Sequence, residues 1–124
     1  MKVRILGNSI RFRLKKSEVS KLSEKEEVRE VICFGISAAN HLSFILKCSQ
    51  NDNFQLSFDG NSIVVQIPDS VGAEWTSTEL VGFEKHIETD EGAVVDVLVE
   101  KDFKCLDRSD IEDEDAYPNP NLHC

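Results

Sequence analysis

The chain has 124 residues, 40% hydrophobic and 30% charged, with a formal net charge of −9 at pH 7. That size and balance suit one domain with a core large enough to fold without staples, and the acidic sum argues against a nucleic-acid binder, which needs a basic footprint. No run approaches the roughly 18 apolar residues of a membrane span, and the charged start at Lys2 and Arg4 leads into no apolar signal core, so neither secretion nor membrane insertion is expected.

The first element is "KVRILGNSIRFRL". Val3, Ile5, Ile10, Phe12 and Leu14 alternate with Lys2, Arg4, Arg11 and Arg13, the period of a strand with one buried face. Gly7 and Asn8 supply the turn, which sets Ile5 opposite Ile10 and Val3 opposite Phe12 on the core side. On the other side Arg4 faces Arg11 and Lys2 faces Arg13. Like charges directly opposite are unfavourable, so this ribbon calls for counter-charge.

"KKSEVSKLSEKEEV" places Ser17 as an N-cap before a short amphipathic helix carrying Val19 and Leu22. "VREVICFG" reads as a buried strand stopped by Gly35, and "HLSFILKCS" as another, with Leu42, Phe44, Leu46 and Cys48 inward. "FQLSFDGNSIVVQIP" is a hairpin: Phe54, Leu56 and Phe58 go in, Asp59, Gly60 and Asn61 turn, and Ile63, Val65 and Ile67 return. Pro68 ends it. "DSVGAEWTST" offers Asp69 or Ser70 as a cap and predicts a short helix packed over Trp75.

"LVGFEKHIETDEGAVVDVLVEKDF" predicts a hairpin with a three-residue loop of Asp90, Glu91 and Gly92, Gly92 being left-handed. This register gathers Val81, Phe83, Ile87, Ala93, Val95, Val97 and Val99 on one face, broken only by Lys85. The other face carries Glu84, His86, Glu88, Asp96 and Glu100, with His86 opposite Asp96. Residues 107–124 are acidic, poor in apolar side chains and interrupted by Pro118 and Pro120, which reads as a tail ordered only by docking, with Ile111 and Tyr117 as pegs.

About eight strands, two short helices and no evident internal repeat predict an α+β domain over residues 1–106. The expected architecture is mainly antiparallel, a curved sheet or partly closed barrel, with the 107–124 tail laid back on it. Cys33, Cys48, Cys105 and Cys124 form no CxxC pair and read as reduced thiols in a cytoplasmic protein.

Two constellations carry possible chemistry. Lys2, Arg4, Arg11 and Arg13 form either an anion site, since guanidinium forks match phosphate and carboxylate, or a face paired internally with some of the 23 acids. Glu84, His86, Asp96 and Glu100 are candidate metal ligands on neighbouring strands, without an HxH or HExxH signature to tighten the case. No P-loop, dinucleotide fingerprint or nucleophile elbow occurs, and no cofactor is identified.

Both charge signs on one antiparallel sheet make a design similar to the triphosphate tunnel enzymes. Their N-terminal strand bears an ExExK motif, whereas this chain has "KVRIL", which removes the metal ligands expected there. The segments "MKVRILGNSIRFRLKKSEV", "VGFE" and "EKDFKCLDRSDIEDEDAYPNP" resemble a family of small stand-alone bacterial proteins of unknown function. That resemblance implies a cytosolic bacterial protein that is the whole domain, and no catalytic residue. The expected function is non-enzymatic binding, through a small ligand, a protein partner or a second copy at a sheet edge. The alternative is a metal-assisted phosphohydrolase or phosphate-ligand binder.

Overall fold

The computed structural model describes residues 1–25 and 27–103. Turn chemistry dictates the first pairing. Gly7 takes a positive φ of 56° between β1 (Lys2–Leu6) and β2 (Ser9–Leu14), and the strands pair with Val3 opposite Phe12 and Ile5 opposite Ile10, as expected. Gly60, at φ 99°, closes β5 (Gln55–Phe58) onto β6 (Ser62–Pro68). Gly92, at φ 84°, closes β7 (Gly82–Glu88) onto β8 (Val94–Lys101), with Thr89 and Ala93 bridged across a three-residue loop and His86 opposite Asp96. A fourth hairpin joins β3 (Val28–Cys33) to β4 (His41–Ser49) through a loop containing a short 3₁₀ turn.

Two four-stranded sheets result, in the orders β1, β2, β8, β7 and β3, β4, β6, β5. The central joins, β2 to β8 and β4 to β6, are parallel. The architecture is therefore α+β with two mixed sheets, neither the single mainly antiparallel sheet nor the partly closed barrel expected. Local turn signals fix each hairpin, but the join between hairpins is non-local and carries no short-range signature.

The chain is also a structural repeat. The unit strand, strand, helix, strand, strand occurs twice, with each half contributing one hairpin to each sheet. Equivalent positions fall at a constant offset through the core: Phe12 and Val65, Leu14 and Ile67, Leu22 and Trp75, Leu46 and Val99 are all buried. The turns repeat literally, since Gly-Asn-Ser-Ile stands at 7–10 and again at 60–63. The Asn8 carbonyl accepts from the Asp96 N–H, and the Asn61 carbonyl accepts from the Ser43 N–H, so each turn anchors its hairpin to the neighbouring one. The amino-acid sequence does not announce this repeat, because outside that tetrapeptide the halves share polarity more than identity.

Helix α1 (Lys16–Ser23) begins one residue before the expected cap. Lys15 takes the cap position and donates its N–H to the Glu18 carboxylate at 2.9 Å, so the helix is closed by its third residue rather than by Ser17. Helix α2 (Asp69–Ser77) follows Pro68 directly. The helices pack on each other at the end of the sheets away from the turns, and Leu22 and Trp75 reach into one core shared by both sheets.

β3 departs from expectation. Its apolar run predicts a buried strand, yet only Val28 is buried, while Val31, Ile32 and the following Phe34 stay open to solvent. The physical reason is position: β3 is the edge of its sheet, and apolar content alone does not distinguish an edge from a central strand. Cys33 and Cys48 are free thiols, Cys48 half-buried against α2. The tail expected over 107–124 lies outside the described residues, and no helix among those described is long and apolar enough to cross a membrane.

Candidate functional site

The parallel join puts the cationic ribbon beside the acidic hairpin. Because β2 lies against β8, Arg11 and Arg13 stand on the same outer face as Asp96 and Glu100, with Arg13 directly opposite Glu100. Glu100 Oε1 sits 3.2 Å from Arg11 Nε and 3.6 Å from Arg13 Nε, ionic contacts that meet no hydrogen-bond alignment. Lys2 Nζ reaches Asp102 at 2.9 Å. Arg4 is exposed opposite Arg11 and makes no ion pair among the described residues.

Removing the shared carboxylate has a defined consequence. In Glu100→Gln, Arg11 and Arg13 lose a partly buried counter-ion while keeping their mutual repulsion, and we expect about 1 kcal/mol of destabilisation in urea melts, shrinking in 1 M salt.

On β7, His86 Nδ1 is hydrogen-bonded to Asp96 Oδ1 across the register. That bond, then the Asp96 charge, and more weakly Glu84, raise the His86 pKa, opposed by desolvation and by the Lys85 charge. A raised pKa means the folded state binds the proton more tightly. The pair's stabilisation is therefore complete below the usual histidine pKa of 6.5 and is lost as pH rises through the raised value. We expect the stability difference between the native chain and His86→Gln to vanish above that range; a difference unchanged from pH 6 to 9 would show that the imidazolium is not involved.

The metal candidates do not assemble. His86 and Asp96 meet each other, but Glu84 is opposite Leu98, and Glu100 is opposite Gly82 and occupied by two guanidinium groups. Among the described residues no group of three or more His, Cys, Asp or Glu side chains could hold a metal ion.

A second feature lies at the turn end of the molecule, opposite the helices. There the inner faces of both sheets run out into a pocket of about 560 Å³, within the usual range for small-molecule sites. Ile5, Ile10, Leu56, Phe58, Ile63 and Val95 form its apolar walls. Gly7, Asn8, Ser9 and Ser57, with Thr89, Asp90 and Glu91 of the β7–β8 loop, form a polar and acidic rim. Ile5 and Phe58 occupy equivalent positions in the two halves, and each is well exposed, at 60% and 69%. Sequence reasoning assigned these residues to the core and missed the opening. The available signal was that the apolar alternation continues to the last residue before each glycine turn, while the turns contain nothing bulky enough to cover it.

No curated protein and no solved structure matches the chain. A family model does, over residues 1–121, so the chain with this pocket and this paired charged face belongs to a family of unknown function (DUF7009).

Proposed function

We propose that this protein is a non-enzymatic binding protein that takes a small ligand at the turn end. One observation carries the reading: the pocket walls are inward-facing strand residues of both halves, left uncovered at the mouth instead of being sealed by loop side chains. Large apolar side chains open to water in a concave site gain on ligand entry about 25 cal/mol for each Å² they bury. The rim selects against anions, because Asp90 and Glu91 stand on the loop that frames the opening. The ligand class is an apolar body with a neutral or cationic head, and a primary alkylamine is the simplest probe.

The charged outer face supports this assignment by contrast. Arg11 and Arg13 share Glu100 and Lys2 is held by Asp102, so Arg4 is the one cation of that ribbon without an ion pair among the described residues, and a lone exposed guanidinium is a weak phosphate site. Thermal-shift titration of the full chain with nonylamine, nonanol and nonanoate tests the reading. Amine and alcohol should stabilise the protein and nonanoate should do so least, and the amine shift should disappear in Phe58→Ser. Phe58 is exposed enough that this change should alter stability by no more than about 0.5 kcal/mol. A shift with triphosphate and none with the apolar probes would replace this reading with the anion-binding one.

A further inference from the structure

The two strand seams of the molecule are not alike. Where β5 and β7, edge strands of different sheets, lie alongside each other, Phe54 meets Phe83 with ring centroids 6.0 Å apart, and Lys85 Nζ lies 5.3 Å from the Phe54 ring. The other seam lies between β1 and β3, and it is closed only at its helix end. There Met1 and Val28 join the core, and the N-terminal ammonium pairs with Glu18 and, at 3.4 Å, with Glu30. Towards the turns nothing among the described residues covers it. Ile32 is 50% exposed although Ile87, its counterpart on β7, is 4% exposed, and Phe34 and Ile5 are bare at 73% and 60%.

We propose that this open seam is a peptide-binding site: it takes an extended segment of a partner protein, with alternating apolar and acidic residues, as a strand added to β3. Three observations converge. The first is backbone accounting. Phe34 donates its N–H to the Asn40 carbonyl, so by the alternation of an antiparallel ladder the backbone groups of Val28, Glu30 and Ile32 also face β4. Those of Arg29, Val31 and Cys33 face away from it, and β3 has no second neighbour in its sheet. Their N–H and C=O groups are a template for one more strand.

The second is the side-chain pattern. Ile32 and Phe34 of the β3 edge and Ile5 of β1 belong to the core-facing rows of their strands, so the inward side chains of an added strand would meet apolar surface. The third is charge. The outward rows bring Arg29 on β3 and Arg4 on β1 to the two sides of the seam. Among the described residues Arg4 makes no ion pair, and Arg29 holds only Glu27, at 3.1 Å in a pair about half exposed on both sides. Outward side chains placed between these two guanidinium groups are favoured as carboxylates. The same charges disfavour a second copy, because a two-fold contact through this seam brings the same cationic patch of both copies together.

Fluorescence anisotropy with the full chain at low salt tests the proposal, using end-labelled octapeptides of alternating valine and glutamate, of alternating valine and lysine, and of the first composition with its glutamates in one block. Only the alternating valine–glutamate peptide should bind saturably. Val31→Pro should weaken it at least about tenfold, since the proline removes an outward N–H while every bond to β4 remains. Arg4→Glu, a change at an exposed position, should weaken it by a similar factor that shrinks in 1 M salt, and it carries the test should Val31→Pro fail to fold. No saturable binding, equal binding of the lysine peptide, or an affinity unchanged in both variants would overturn the proposal. So would sedimentation showing a dimer that Val31→Pro dissolves, which would put a second copy on the seam.

Discussion

Trp75→Ala is expected to remove about 3–5 kcal/mol of stability, the cost of emptying a fully enclosed aromatic site. Trp75 is completely buried under α2, its ring edge-on to Phe83 at a centroid distance of 5.7 Å. Its indole N–H donates to the Val81 carbonyl at 3.1 Å, and Lys101 Nζ lies 5.8 Å from the ring. Truncation thus creates a cavity and removes one of the two donors to the Val81 carbonyl, which keeps the Lys101 N–H at 2.9 Å. Phe83 in turn supports Phe54, so the β5–β7 seam should loosen with it. Leu22, the equivalent residue of α1, is just as buried but smaller and makes no polar contact, and Leu22→Ala should cost about 2–5 kcal/mol. Urea or guanidinium melts of both variants check the order; a Trp75→Ala protein as stable as the parent would mean that the two helices do not plug the core as described.

Gly72→Ala is expected to destabilise by about 1–3 kcal/mol although alanine is the better helix former. Gly72 is buried in the first turns of α2, and a Cβ there would overlap Cys48 Sγ on β4, with Ile67 Cδ1 next at 3.6 Å. Cys48 is held in place by packing, and burial, followed by the nearby Asp69 charge, raises its pKa, so it stays a neutral thiol with no outward pull. The sign of the effect should reverse in a Cys48→Ala background. With the sulfur gone, the new methyl group has room, and Gly72→Ala should then stabilise by roughly 0.5–1 kcal/mol through helix propensity. Additive losses in the double variant would place the constraint elsewhere.

These two sites show how unevenly the fold could be read. Trp75 under a short helix, and the registers of the three glycine-turn hairpins, follow from local chemistry, because the turn fixes which residues face each other. The adjacency of the cationic and acidic strands does not. It depends on β2 meeting β8 across nearly the whole chain, and nothing in Arg11, Arg13 or Glu100 announces it. The repeated Gly-Asn-Ser-Ile was the one visible trace of the duplication, and its role, an asparagine carbonyl tying each turn to the next hairpin, is apparent only in three dimensions. β3 was misjudged because Val31 and Ile32 look alike whether central or at an edge. The pocket was hidden for a related reason: Ile10 and Ile63 continue the core period without revealing where the core stops.

The most direct test of the account is a heteronuclear NMR titration of the full chain with nonylamine, following backbone amides. The pocket reading predicts saturable shifts at Gly7, Asn8, Ser57, Phe58 and Thr89 to Ala93, with α1 and α2 undisturbed. Shifts confined to β1 and β3, or none at the turn end at millimolar amine, would contradict it.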